Sequence, residues 1–205
     1  MVRPGRRRAP GRAAAGARLS GGVAAGRRIS TETGTDLRPT TGLVRKACFD
    51  ILGQAVLEVR AVDLFAGSGS LGLEALSRGA SQVTFVEVRR NRAARIAANL
   101  AQLGWEDRGR VVPGDALSWL RQRREDLLLA TLVLLDPPYL APGPELGLAA
   151  LRLLGEASQV AAEWQPTVVA EHHRSLLVPS QAGALNCVRS SRYGSTVLSF
   201  YRRSR

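Results

Sequence analysis

The chain has 205 residues, 45% of them apolar, a formal net charge of +12, and only two cysteines and two histidines. That length suits one domain with a short extension and enough apolar material to bury a core. The cysteine count excludes a disulfide-framed scaffold and a zinc site built from cysteines alone, and the longest apolar run, 127–135, is far shorter than the ~20 residues of a bilayer-spanning helix.

In chain order, residues 1–17 are rich in Arg, Ala, Gly and Pro and are predicted to be a disordered basic tail. Residues 1–31 hold eight arginines and no acid, so most of the net charge lies there. Such an arm attracts polyanions, usually nucleic acid; a merely solvated tail fits the composition equally well. The start also has the acid-free, Arg-rich character of an organelle transit peptide, but it is poor in serine. It lacks the apolar segment of a secretory signal, and a cytoplasmic protein is expected. Residues 18–58 are predicted as an N-terminal extension facing the partner. Within it, 18–39 forms loops or short strands, and Thr40 or Thr41 caps a helix. On that helix Val44, Ala47, Cys48, Ile51, Leu52 and Ala55 share one face, with Arg45, Lys46, Asp50 and Gln54 opposite.

Residues 59–205 alternate between strand and helix patterns. Strands are predicted at 61–65, 82–87, 110–112, 131–135 and 167–171, and helices at 71–78, 90–103, 116–123 and 145–154. A hairpin over 185–192 and 195–201 turns at Tyr193 and Gly194. The alternation implies an α/β fold with a doubly wound, mostly parallel sheet and a C-terminal antiparallel hairpin. Ligands in such sheets sit beyond the carboxyl ends of the strands, where the strand order reverses. If the strands at 61–65 and 131–135 are neighbours at that point, the loops that follow them flank one crevice.

The first loop runs from Asp63 through Phe65, Ala66, Gly67, Ser68 and Gly69 into a helix that contains Gly72. Its Gly-x-Gly-x-x-Gly pattern permits a tight turn and close approach of a nucleoside-type cofactor to the backbone. Glu87, at the end of the next strand, can accept hydrogen bonds from both ribose hydroxyls. NAD would fit these features equally. Asp63 favours a methyl donor, because an acid there supports the loop or faces a sulfonium, whereas a pyrophosphate would be repelled. Asp115, with Ala116, is placed for an adenine amino group, or Asp115 caps a helix.

The second loop is Asp136-Pro137-Pro138-Tyr139. An exocyclic amine on a base is a poor nucleophile because its lone pair is delocalised into the ring. A carboxylate and a backbone carbonyl that each accept one amine hydrogen favour a pyramidal nitrogen with its lone pair free. The two prolines make the loop stiff and rich in carbonyls, and Tyr139 can stack on an extruded base. Together the loops suggest methyl transfer from S-adenosylmethionine to a base nitrogen, driven largely by alignment of the reactants. His172 and His173 are expected to be loop or edge residues, and Trp105, Trp119 and Trp164 to be packing residues. Ser68 and Ser70 have no base at a spacing that suggests nucleophilic chemistry, and no metal is expected.

These segments resemble the RsmD-type small-subunit ribosomal RNA guanine-N2 methyltransferases. The likeness rests on Leu37-Arg38-Pro39-Thr40-Thr41 followed by Val44-Arg45, the long glycine loop through Gly79, and Val86-Glu87. Asp136 to Tyr139, Glu171 and Arg192-Tyr193-Gly194 also fit. The resemblance implies a seven-stranded methyltransferase fold, S-adenosylmethionine as donor and a guanine amino group of 16S ribosomal RNA as acceptor, within an assembling small subunit; separately, a monomer is expected. It implies that Gly67 and Gly69 line the donor, Glu87 holds its ribose, and Asp115 and Ala116 its adenine. Asp136 and Pro138 would hold the amine, Tyr139 the base, and Arg27, Arg38, Pro39, Thr40 and Arg45 the RNA. Two positions depart from the family pattern: Ala25-Gly26-Arg27 stands where Arg-Gly-Arg is usual, and Lys46 where a glutamate is common. Alternatives from the residues are an amino methyltransferase acting on DNA adenine or a protein glutamine, a non-catalytic basic RNA-binding assembly factor, and an NAD-dependent dehydrogenase.

Overall fold

The structure, a computed structural model, describes residues 16–31 and 42–204. Gly16–Arg18 (β1) and Arg28–Ser30 (β2) pair as a small antiparallel hairpin. Gly42–Leu52 (α1) runs into a 3₁₀ turn at Gly53–Val56. Then come Arg60–Leu64 (β3), Ser70–Ser77 (α2), Gln82–Glu87 (β4), Arg90–Leu103 (α3), Gly109–Pro113 (β5), Ala116–Gln122 (α4), Arg124–Leu128 (α5) and Leu132–Leu135 (β6). The chain continues through Gly143–Val160 (α6), Thr167–His173 (β7), Gln181–Ala182 (β8), Leu185–Tyr193 (β9) and Thr196–Arg203 (β10).

The large sheet has the order β5-β4-β3-β6-β7-β10-β9-β8. The first five strands in that order are parallel, and the last three pair antiparallel. The chain winds outward from β3 to β5, then returns to lay β6 against β3, with Asp63 opposite Leu134 and Leu64 opposite Leu135. The strand order therefore reverses between β3 and β6, and the loops that leave them start side by side.

Helices cover both faces. Phe49, Leu73, Phe85 and Ile96 belong to the core under α1 to α3, and Trp119, Leu151, Trp164 and Tyr201 to the core under α4 to α6. Strand β6 shows why its sequence is unbroken by polar residues: Leu132 and Leu134 join the first core, Val133 and Leu135 the second. Each such side chain contributes ~1.5–3 kcal/mol on burial. All three tryptophans are buried, and Trp164 Nε1 donates to the Ala130 carbonyl at 2.7 Å.

Several expectations need correction. The sheet has eight strands rather than seven, because two residues of β8 add to its edge. Pairing of β1 begins at Gly16, inside the stretch assigned to the tail. Arg124–Leu128 forms a separate helix, and α6 exceeds its predicted span at both ends. His172 and His173 lie within β7, since β10 pairs as far as His173; His172 is buried, with Nε2 3.0 Å from Ser199 Oγ.

The β1–β2 hairpin is held by polar contacts to α2 and α3. The Glu74 carboxylate, fully buried, accepts from Ser20 N at 2.8 Å, Ser20 Oγ at 2.6 Å, Arg45 Nε at 3.1 Å and Arg78 Nε at 2.9 Å. Asn99 exchanges two hydrogen bonds with the backbone of Ser30. Arg45, expected on an RNA-facing surface, is only 2% exposed and also donates to the Arg18 carbonyl. The hairpin covers the polar face of α1 at that point, so Arg45 is a structural cation.

Candidate active site

The donor half is built where β3 ends. Phe65 turns the chain out of the strand with φ 60°, an uncommon conformation for a residue with a side chain. Ala66 N donates to the Val86 carbonyl at 2.9 Å, which fixes the loop to the neighbouring strand. Gly67 follows at φ 56°, with nothing closer than 3.8 Å to the place of a Cβ, so its bare face is open. Gly69 differs: a Cβ there would meet Ile96 at 3.0 Å, and the residue is absent from the cavity wall. It starts α2 in the left-handed conformation. Gly72 lets α2 approach β4, since a Cβ would lie 2.3 Å from the Phe85 ring.

Two carboxylates brace this loop. Glu87, buried at the end of β4, accepts from Gly67 N at 2.7 Å through Oε2 and from Arg89 N at 2.8 Å through Oε1. Each oxygen has a second lone pair that can meet a hydroxyl. Asp63, 1% exposed, accepts from Gly72 N at 2.9 Å. Its pKa lies well above the usual carboxylate value, chiefly because of burial and further because Asp136 and Glu87 are near; the Gly72 N–H opposes the shift. Asp115 caps α4 by accepting from Ser118 N at 2.8 Å through Oδ1, and so can cap the helix and still present Oδ2 to a ligand.

The acceptor half begins directly after β6. Pro137 is buried, Asp136 and Tyr139 are half-buried, and Pro138 is exposed. Burial pushes the Tyr139 hydroxyl pKa upward, with Glu171 adding to the effect. Both halves wall one cavity of about 450 Å³. Asp63, Phe65, Ala66, Gly67 and Ser68 line it from the first loop, and Asp136, Pro137, Pro138, Tyr139 and Leu140 from the second. Glu87, Asp115 and Ala116 line it too, and Gly69 alone of the residues expected around the donor does not. A larger groove of about 550 Å³ lies between α6 and residues 177–183, but none of these groups lines it.

Sequence reasoning missed Thr31, Val88, Arg89, Arg92 and Leu146 in the wall. The signal for two of them was the group Arg89, Arg90 and Arg92, just beyond Glu87 where α3 begins. Arg27 lies on the surface and donates to the Gln102 carbonyl at 2.7 Å. Arg38, Pro39 and Thr40 lie outside the described residues. Among the described residues, no group of three or more His, Cys, Asp or Glu side chains could hold a metal ion. None of the helices described is long and apolar enough to cross a membrane.

The residues present fit S-adenosylmethionine. The cavity falls in the ~300–1,000 Å³ range of small-molecule sites. It sets a carboxylate at the end of β4, a second at the start of α4 and an open glycine turn around one space with apolar walls from Phe65, Val86 and Val88.

Comparison with known proteins identifies the family. Residues 17–202 match the family model described as Conserved hypothetical protein 95. YlbH of Bacillus subtilis (strain 168), which bears the name of an rRNA methyltransferase, is 34% identical over 186 residues, 91% of this chain and 98% of that protein. Ribosomal RNA small subunit methyltransferase D of Escherichia coli (strain K12) is 38% identical over 122 residues, 60% of each chain. The structure of yhhF from Escherichia coli, described as a methyltransferase, superposes with a TM-score of 0.77 at 28% identity, covering 93% of this chain and 99% of that one. SMU.776, solved in complex with SAH, shares the fold at a TM-score of 0.62 and 14% identity, over 85% of this chain and 52% of its own. The chain therefore belongs to the RsmD-like family described as Conserved hypothetical protein 95, and its fold is that of the Rossmann-like, S-adenosylmethionine-dependent methyltransferases.

Proposed function

We propose that the protein transfers a methyl group from S-adenosylmethionine to the exocyclic N2 amine of a guanine in 16S ribosomal RNA, in an assembling small ribosomal subunit. The observation that carries this reading is the single cavity walled by the glycine turn and the Asp136–Tyr139 turn. The names of the two relatives with ribosomal RNA in them support the substrate class.

S-adenosylmethionine, when bound, supplies an electrophilic methyl group on a sulfonium. The chain's own residues do the rest. Glu87 accepts from ribose hydroxyls with the lone pairs that Gly67 N and Arg89 N leave open. Asp115 accepts from the adenine amino group beside its capping bond. The Asp136 carboxylate and the Pro138 carbonyl each accept one hydrogen of the guanine amine, which turns the nitrogen lone pair outward. The proton that the nitrogen must lose after methylation lies on the Asp136 side and passes to that carboxylate. The ring of Tyr139 holds the base, and Asp63 keeps α2 and the glycine turn in register through Gly72. The acceleration comes from holding two reactants in one orientation, an effect worth up to roughly 7–11 kcal/mol in favourable cases.

Asp136→Ala tests the reading. The variant is expected to bind S-adenosylmethionine by calorimetry with wild-type affinity and to leave small-subunit RNA unmethylated. Full methylation by that variant would defeat the assignment.

A further inference from the structure

Tyr139 stands at the lip of the cavity, and its neighbours come from the antiparallel half of the sheet. Glu171 and His173 are alternate residues of β7, and Thr196 lies opposite His173 in the β7–β10 register. Alternate residues of a strand share a face, as do directly paired ones, so all three side chains point the same way. The Tyr139 hydroxyl donates to Glu171 Oε1 at 2.9 Å and shares a second hydrogen bond with Thr196 Oγ1 at 2.9 Å. The Tyr139 ring meets His173 edge-on, with centroids 6.0 Å apart and planes at 68°.

Glu171 is 6% exposed in the sheet interior, between Ala170 and His172. A carboxylate there costs desolvation that apolar packing does not return and hydrogen bonding does. Thr196, 8% exposed, is likewise a buried hydroxyl aimed at the same phenol. The phenol has its one proton and a lone pair engaged on the protein side, which leaves the ring as the part of Tyr139 that meets an acceptor.

From these contacts we infer that Glu171 and Thr196 are positioning residues, which clamp the Tyr139 hydroxyl so that its ring forms a fixed platform for the acceptor base. This inference rests on the function proposed above. It assigns the geometry of the acceptor pocket to β7 and β10, not to the glycine loop. It also assigns Tyr139 no proton transfer.

The test uses the full chain and small ribosomal subunits from cells that lack the gene, at saturating S-adenosylmethionine. Tyr139→Phe and Glu171→Leu are each expected to lower kcat roughly five- to tenfold, the factor that one or two hydrogen bonds carry. In a second series, with S-adenosylmethionine varied at a fixed concentration of subunits, KM for the methyl donor should stay as in the wild type. Glu171→Gln keeps an accepting oxygen and should recover most of the loss. The double variant Tyr139→Phe/Glu171→Leu should be no slower than Tyr139→Phe alone, because the loss of the hydroxyl already breaks the contact to Glu171. Losses that multiply, or an unchanged rate in Tyr139→Phe, would overturn the clamp. A Tyr139→Phe variant as inactive as Tyr139→Ala would overturn it too, by placing the hydroxyl in the chemistry. If Glu171→Leu does not fold, Tyr139→Phe combined with Thr196→Val carries the same comparison. A wild-type protein with no activity on these subunits would overturn the function itself and the clamp with it, a result distinct from multiplying losses in an active enzyme.

Discussion

Replacing Glu74 with alanine removes the group on which the β1–β2 hairpin, α1 and α2 converge. The magnitude follows from what remains. Arg45, 2% exposed, keeps its bond to the Arg18 carbonyl but loses its anion at 3.1 Å. Arg78, with a side chain 18% exposed, keeps Asp50 at 3.2 Å and reaches water, so its share of the loss is small. Breaking a buried pair from one side costs about 3–5 kcal/mol, a large part of the roughly 5–15 kcal/mol that holds a typical domain folded. Urea unfolding at neutral pH should show that loss as a lower midpoint, and limited proteolysis should find new cleavage within residues 16–31. A loss below about 1 kcal/mol would refute the reasoning, since that is the scale of a solvent-exposed pair. The same group sets a pH dependence. Burial alone would raise the Glu74 pKa, but the hydroxyl and N–H of Ser20, with Arg78 and Arg45, outweigh it and hold the carboxyl below its ordinary value of 4.5. A depressed acid stabilises the fold fully above its unfolded pKa and loses that contribution as pH falls through the folded one. Stability should therefore fall in acid below about pH 4.5, and the Glu74→Gln variant should show a shallower fall.

Two glycines of one motif should separate on substitution. Gly72→Ala sets a carbon 2.3 Å from the Phe85 ring; overpacking of ~1–3 kcal/mol, offset by up to ~1 kcal/mol of helix propensity, should lower the thermal midpoint. An unchanged midpoint would contradict the close α2–β4 contact. Gly67→Ala meets open space, so its cost in stability is only ~1–2 kcal/mol for a left-handed alanine. Its methyl should weaken S-adenosylmethionine binding by calorimetry at least about tenfold, and equal affinity would show that the turn does not approach the donor. Arg45→Ala should lower stability without changing RNA affinity once folded protein is compared; a specific loss of RNA binding would restore its surface role.

Periodicity and turn chemistry made much of this molecule legible. The unbroken apolar run of β6 marked the sheet centre because two cores receive its alternate residues. The glycine turn and Asp136 to Tyr139 stood out because each follows a buried strand. What stayed hidden depended on contacts distant in sequence. Arg45 sits on the polar side of α1, and nothing local shows that β1 and Ser20 fold over it. Gly69 shares a motif with Gly67, yet only the packing of α3 shows that its bare face meets Ile96 rather than open space. The partners of Tyr139 lie 32 and 57 residues away, and only the β7–β10 register brings them together.

The most direct measurement is nucleoside mass analysis of 16S RNA from small subunits of cells lacking the gene, before and after incubation with the protein and S-adenosylmethionine. One new N2-methylguanosine per RNA is expected with the wild type and none with Asp136→Ala. Methylation of adenine instead, or of nothing while the protein still binds the methyl donor, would contradict the account.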